Sequence, residues 1–192
     1  MIRSASTALA IALAFPALAE TVISEASGNW AGASNSGFYF LARLTQEEDM
    51  ARLRIWSGTP DTPPTGAGDP DLDNPEIALA AFATLQALEV VETDQGSVLQ
   101  VVTEFADEYA EGRIVLQIQL IDSQYTVLGY HYQEVAHDTG DGPVPYECNI
   151  NFADGSMVED GMEFAMSVED GMTNAATWTY SVVFDRSLCS VS

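Results

Sequence analysis

The sequence predicts an all-β protein: an antiparallel meander of about eight strands, closing into a barrel or a strongly curved sandwich, with one short helix. Three observations carry that prediction. Beyond residue 20 most of the chain alternates apolar and polar side chains with a period of two, as strands with one buried face do. The apolar positions are rich in branched and aromatic residues. Turns built on Asp and Gly separate the runs at short intervals. The cleanest stripe is Ile114, Leu116, Ile118 and Leu120, with Gln117 and Gln119 opposite. Closure is expected because it removes exposed strand edges.

Residues 1–19 precede the meander and read as an export leader. Arg3 supplies the positive start, and Ala8 to Phe15 form an apolar stretch too short to span a bilayer. Ala17-Leu18-Ala19 then places small residues where signal peptidase cuts, so the mature chain is expected to begin at Glu20 as one β domain of residues 20–192. No cysteine lies at that point to take a lipid anchor. No later run approaches the roughly 20 apolar residues of a membrane span. The expected location is periplasmic or secreted.

Ser36 to Leu44 and Met50 to Trp56 form the first hairpin, across the acidic turn Gln46 to Asp49. Leu53 and Ile55 should face inward, with Arg52, Arg54 and Trp56 on the other side. Ser57 to Asn74 is rich in Pro, Gly and Asp and reads as a long loop. Asn74-Pro75-Glu76 has helix-start chemistry, and the Ala-rich stretch Ile77–Leu85 predicts about two helical turns. Strands resume over Ala87 to Thr93, Ser97 to Phe105, Arg113 to Asp122 and Gln124 to Val135, with turns at Asp94-Gln95-Gly96, Ala110-Glu111-Gly112 and Asp122-Ser123. Tyr146–Phe152, a weaker run Met162–Val168 and Thr177–Phe184 complete the set. Val158-Glu159-Asp160-Gly161-Met162 recurs ten residues later as Val168-Glu169-Asp170-Gly171-Met172. Two copies are too few for a solenoid, and Asp-Gly marks successive tight turns.

Cys148 and Cys189 are the only cysteines. An even pair in an exported chain predicts a disulfide, tying the Tyr146–Ile150 strand to the tail. Neither cysteine has the spacing of a redox motif or a metal site. Asp69, Asp71 and Asp73 alternate like the first ligands of a calcium loop, but Asn74 stands where Gly is needed and Ala80 where the bidentate Glu belongs. An EF-hand is excluded, leaving a looser calcium site or a solvated acidic loop. His131 and His137 are the only histidines. His137-Asp138 invites a triad, but no G-x-S-x-G accompanies it, and the turn Ala33 to Gly37 lacks that frame. A carboxylate pair such as Glu104 with Asp107 or Glu108 is expected by chance among 29 acids. No motif calls for a cofactor, and a non-enzymatic protein is expected.

Charge narrows the partners. The chain has 29 acids, 6 arginines and no lysine, for a net charge of -23. Loss of the leader would leave 5 arginines against the same 29 acids, a charge of -24. Nucleic-acid binding through phosphate neutralisation is excluded, as are Schiff-base and P-loop chemistry, which need lysine. An acidic surface favours cations or basic proteins, or serves solubility alone.

Gly28-Asn29-Trp30, followed by Gly32, resembles the opening element of the lipocalin and wider calycin group. The resemblance covers these few residues, and the same element can open a strand in another sandwich or barrel. It implies that Trp30 closes one barrel end and that a late basic residue, Arg186, packs over it. It also implies a secreted binding protein for a small apolar ligand, held in the barrel mouth. Phe38, Phe40, Trp56, Tyr130 and Tyr132 are the aromatic candidates for lining that site, or for plain core packing. The alternative is an acidic envelope protein that binds or inhibits a cationic protein such as a lysozyme.

Overall fold

A computed structural model describes residues 20–31, 37–137, 142–169 and 171–189. The expected leader, the serine turn over 33–36, Asp138, Asp170 and the tail beyond Cys189 lie outside the described residues. Among the described residues there are eleven strands and one helical turn. The strands are β1 (Thr21–Asn29), β2 (Tyr39–Glu47), β3 (Met50–Gly58), β4 (Leu72–Leu79), β5 (Ala83–Thr93), β6 (Gly96–Ala106), β7 (Ala110–Ile121), β8 (Gln124–Ala136), β9 (Val144–Asn151), β10 (Ser156–Glu159) and β11 (Met162–Ala165). The helical turn is α1 (Val182–Asp185). Every strand pair is antiparallel and consecutive, so the expected meander forms, divided into a four-stranded sheet β1-β2-β3-β4 and a seven-stranded sheet β5 to β11.

The closed barrel does not form, because neither sheet closes on itself. Strand β1 lies against β5, but no ladder joins the two sheets among the described residues; side-chain hydroxyls link β1 to β5 and to β6 instead. The Leu88 amide donates to Ser24 Oγ at 3.0 Å. Ser97 Oγ accepts from the Asn29 amide and donates to the Asn29 carbonyl, at 3.1 and 2.7 Å. The two sheets nevertheless share one core cluster, with Phe40, Leu44, Leu53 and Ile55 from the first and Leu99, Val101, Ile118 and Val127 from the second. The inward stripe of β7 holds, with Leu116 and Ile118 buried and Ile114 and Leu120 packed against the core.

The G-x-W element has a local cause. Gly28 pairs with Phe40 across β1 and β2, and a Cβ on Gly28 would meet the Phe40 ring at 2.6 Å. The ring therefore lies over the glycine, and Trp30 stacks on the same ring with centroids 3.9 Å apart. Tyr125 meets Trp30 edge-on at 5.9 Å. Arg186 does not cover this indole; it ion-pairs with Glu169. The arginine over an indole is Arg43 on Trp56, at 5.4 Å.

The expected helix over Ile77–Leu85 is replaced by β4, a sharp turn and the start of β5. Asn74 is not a helix cap: its amide donates to the carbonyls of Ala175 and Trp178, each at 2.7 Å, while its Oδ1 accepts from Glu76 N. Pro75 falls where the register of β3 and β4 shifts between Ala51 and Leu53, a bulge that has no need of its missing amide. Ala78 and Leu79 then pair with Ala51 and Met50, so tertiary pairing overrides alanine's helical propensity. The long loop before β4 folds over Trp56, whose Nε1 donates to the Gly68 carbonyl at 3.1 Å.

Two further expectations shift. The turn expected at Ala110 to Gly112 sits at Asp107 to Tyr109, where the Asp107 carboxylate accepts from the amides of Tyr109 and Ala110. Gly112 lies within β7, where a Cβ would meet the Gln133 carbonyl and the Phe105 ring. The expected strand Thr177–Phe184 is instead a loop ending in α1. Just before it, 173–175 pair with β8 through Val127 N to Thr173 O and Ala175 N to Tyr125 O, where β9 has already ended. The first copy of the echo does form a tight hairpin turn, with Asp160 and Gly161 at φ 46° and 79°.

Candidate functional site

The inner faces of β6, β7 and β8 present two successive rows of side chains: Val101, Leu116 and Tyr130, then Thr103, Ile114 and Tyr132. Alternation along each strand puts both rows on the core side. The end of β4 and the β4–β5 turn rise on one flank through Ile77, Leu79 and Phe82. The C-terminal segment lies across them with Trp178, Tyr180 and Phe184. Together these walls enclose an apolar cavity of about 210 Å³. Phe82, at φ 64° and 68% exposed, stands on its rim.

Aromatic contacts fix the cavity's shape. Tyr132 meets Phe105, Tyr146 and Phe184 with centroids 6.0, 5.9 and 6.1 Å away. Tyr130 lies 6.4 Å from Trp178, which in turn packs edge-on against Phe152. The Tyr132 hydroxyl donates to Glu134 at 2.5 Å, and that of Tyr146 to Glu159 at 2.6 Å. Burial raises the pKa of both phenols above the ordinary tyrosine range, and the neighbouring carboxylates reinforce the shift. Burial alone raises Tyr130. Its hydroxyl is buried and has no hydrogen-bond partner.

Cys148 and Cys189 are bonded, with Cα atoms 6.0 Å apart. Cys148 pairs with Tyr132 across β8 and β9, so the bridge pins the C-terminal wall beside the cavity.

Neither models of protein families, nor curated proteins, nor solved structures match this chain.

The aromatic candidates separate into three groups. Tyr130 and Tyr132 line the cavity. Phe40 is fully buried under Trp30 in the core, and Trp56 lies under the long loop on the outer side of the first sheet. Phe38 is 57% exposed before β2. Phe105, Trp178, Phe82 and Phe184 escaped the sequence reading. Phe105 extends the alternation Leu99, Val101, Thr103 and was there to be found; Trp178 and Phe184 were hidden by an apparent strand.

Asp71 and Asp73 have partners within the protein. Asp71 accepts from Ser57 N at 2.5 Å, and Asp73 pairs with Arg52 at 2.5 Å and Arg54 at 3.6 Å. Arg52 holds the Asp73 carboxyl below the usual range. Among the described residues no group of three His, Cys, Asp or Glu is placed to hold a metal, Asp69 included. His131 pairs with Glu147 at 3.2 Å on the face of β8 opposite Tyr130 and Tyr132, away from the cavity. Across the end of the second sheet runs an open groove of about 880 Å³, where Glu104, Glu111, Glu147 and Asp160 outnumber Arg113.

Proposed function

We propose that this is an exported, non-enzymatic binding protein that holds a small apolar molecule between its two sheets. The supporting observation is the aromatic cavity formed by β6, β7, β8 and the C-terminal segment. Ligand pockets are commonly apolar clefts with a few polar groups that fix orientation. Residues 1–19 and the Cys148–Cys189 bridge support the extracytoplasmic setting, since such bridges persist in oxidising compartments. No helix among the described residues is long and apolar enough to cross a membrane. The test is a cavity-blocking variant. Ala81 lines the opening, and Ala81→Trp should abolish binding of a neutral solvatochromic dye while leaving the circular dichroism spectrum unchanged. Undiminished dye binding would place the ligand elsewhere.

The acidic groove supports a second reading, a docking site for a cationic protein such as a lysozyme. Its signature is binding that weakens steeply with added salt.

A further inference from the structure

We infer that the cavity takes a compact, uncharged molecule bearing a carbonyl-type acceptor, and that the Thr103 hydroxyl donates to that acceptor. This inference rests on the binding role proposed above. Thr103 interrupts an otherwise apolar stripe. Along the inner face of β6 it follows Leu99 and Val101 and precedes Phe105, and it shares a row with Ile114 and Tyr132. It lines the cavity and is 4% exposed. Valine has nearly the same shape, so what threonine adds at this position is a hydroxyl.

Among the described residues two side-chain polar atoms are both sealed from solvent and unpartnered, Trp30 Nε1 and the Tyr130 hydroxyl. The Thr103 hydroxyl is not one of them, and no side-chain hydrogen bond ties it to another residue of the protein. It therefore keeps accessible surface, and in a residue this buried that surface opens on the cavity it lines. A hydroxyl taken from water without a partner is costly, and a ligand group on the cavity side completes the bond.

The other polar side chains of the wall decide what kind of group that is. Trp178 is 2% exposed, and its indole N–H is in the same condition as the Thr103 hydroxyl. An indole can only donate. The Tyr132 hydroxyl is committed to Glu134, the Tyr130 hydroxyl is sealed, and the Asp107 carboxylate accepts from two backbone amides. Tyr180 is partly exposed and borders bulk solvent as well as the cavity. The buried wall thus offers donors, which favours a ketone, aldehyde or ester over an alcohol.

Size and charge bound the rest of the molecule. An apolar cavity of about 150 Å³ accepts benzene, and this one measures about 210 Å³. One ring with substituents, or two fused rings, fits; a long acyl chain does not. The chain has no lysine, and every arginine among the described residues is ion-paired. Among the described residues the one charged side chain in the lining is Asp107, which repels a carboxylate or phosphate. A cation would lose its hydration against the aromatic and aliphatic walls, at heavy cost.

Equilibrium dialysis of the disulfide-bonded protein at neutral pH with acetophenone, α-methylstyrene and benzoate tests this. The first two share one shape and differ in C=O against C=CH2; the third is an anion of similar size. Thr103→Val should weaken acetophenone roughly threefold to tenfold, the worth of one net hydrogen bond, and move α-methylstyrene by less than about twofold. Reading both ligands across one substitution cancels their different hydration. Thr103→Ser keeps the hydroxyl and should hold the ratio of the two affinities near its native value. Benzoate should bind at least about tenfold more weakly than acetophenone. Acetophenone binding that ignores Thr103→Val, or both ligands weakened alike, overturns the inference while leaving the cavity a binding site. So does α-methylstyrene binding without acetophenone, or benzoate binding as well as acetophenone. Should the valine variant misfold, the native protein decides: the carbonyl stretch of bound acetophenone should lie below its frequency in hexane, and a stretch at the hexane value overturns the inference. If none of the three binds, the proposed function falls and the inference with it.

Discussion

Asn74 shows how one side chain can redirect a stretch of chain. Its neighbours Pro75 and Glu76 spell a helix start, yet its amide nitrogen joins β4 to the C-terminal segment through two hydrogen bonds, while its oxygen accepts from Glu76 N inside β4. The residue is 1% exposed, so each bond is made away from competing water. Asn74→Leu keeps the volume but orphans two carbonyls and an amide. Chemical denaturation should show a loss of about 2–4 kcal/mol; an unchanged midpoint would mean those groups find other partners. Nothing local distinguishes such an asparagine from a helix cap, because its partners lie 101 and 104 residues away. Gly28 is the opposite case. Its spacing to Trp30 was visible in the sequence, but its role, giving room to the Phe40 ring, emerged only from the strand register.

Among the elements, the meander from β5 to β9 was the most legible, because branched and aromatic residues run along its strands and turn residues stand near their ends. Strand β1 went unseen: several of its residues are half-buried or exposed on both faces, so no sharp alternation announces it. The four-residue strands β10 and β11 sit at the sheet edge, where little apolar surface is buried. The C-terminal segment misled in the other direction. Its alternating apolar residues serve to drop Trp178 and Phe184 onto the concave face, with Val183 fully buried beside them. The Cys148–Cys189 bridge closes a loop of 41 residues, worth roughly 4 kcal/mol in the chain-entropy picture. Thermal melts should show a marked drop in Tm for the double variant Cys148→Ser with Cys189→Ser, together with weaker dye binding. A drop in Tm with dye binding intact would show that the C-terminal wall holds its place without the bridge.

At the scale of the whole molecule, titration at the two ends of the pH range acts through different residues. Asp73 and Glu20 are held below the usual carboxylate range chiefly by hydrogen bonds from Arg52 and Arg54. Their contribution is present above about pH 4 and fades as the pH falls through the lowered values. Because these pairs are partly exposed, their share is small and salt-sensitive. Tyr130, Tyr132 and Tyr146 work in the opposite sense. Burial favours their protonated forms, so their contribution is complete below about pH 10 and is lost as the pH climbs through the raised values. Urea midpoints should therefore fall as the pH rises from about 10 to about 11. A midpoint unchanged over that range would show these three phenols to be open to solvent. Two of these rings, Tyr130 and Tyr132, line a pocket whose last wall is contributed by residues near the chain's end and fastened by a covalent bond between sulfurs. A chain kept among reducing thiols would leave that wall unfastened, and oxidation of Cys148 and Cys189 completes the link.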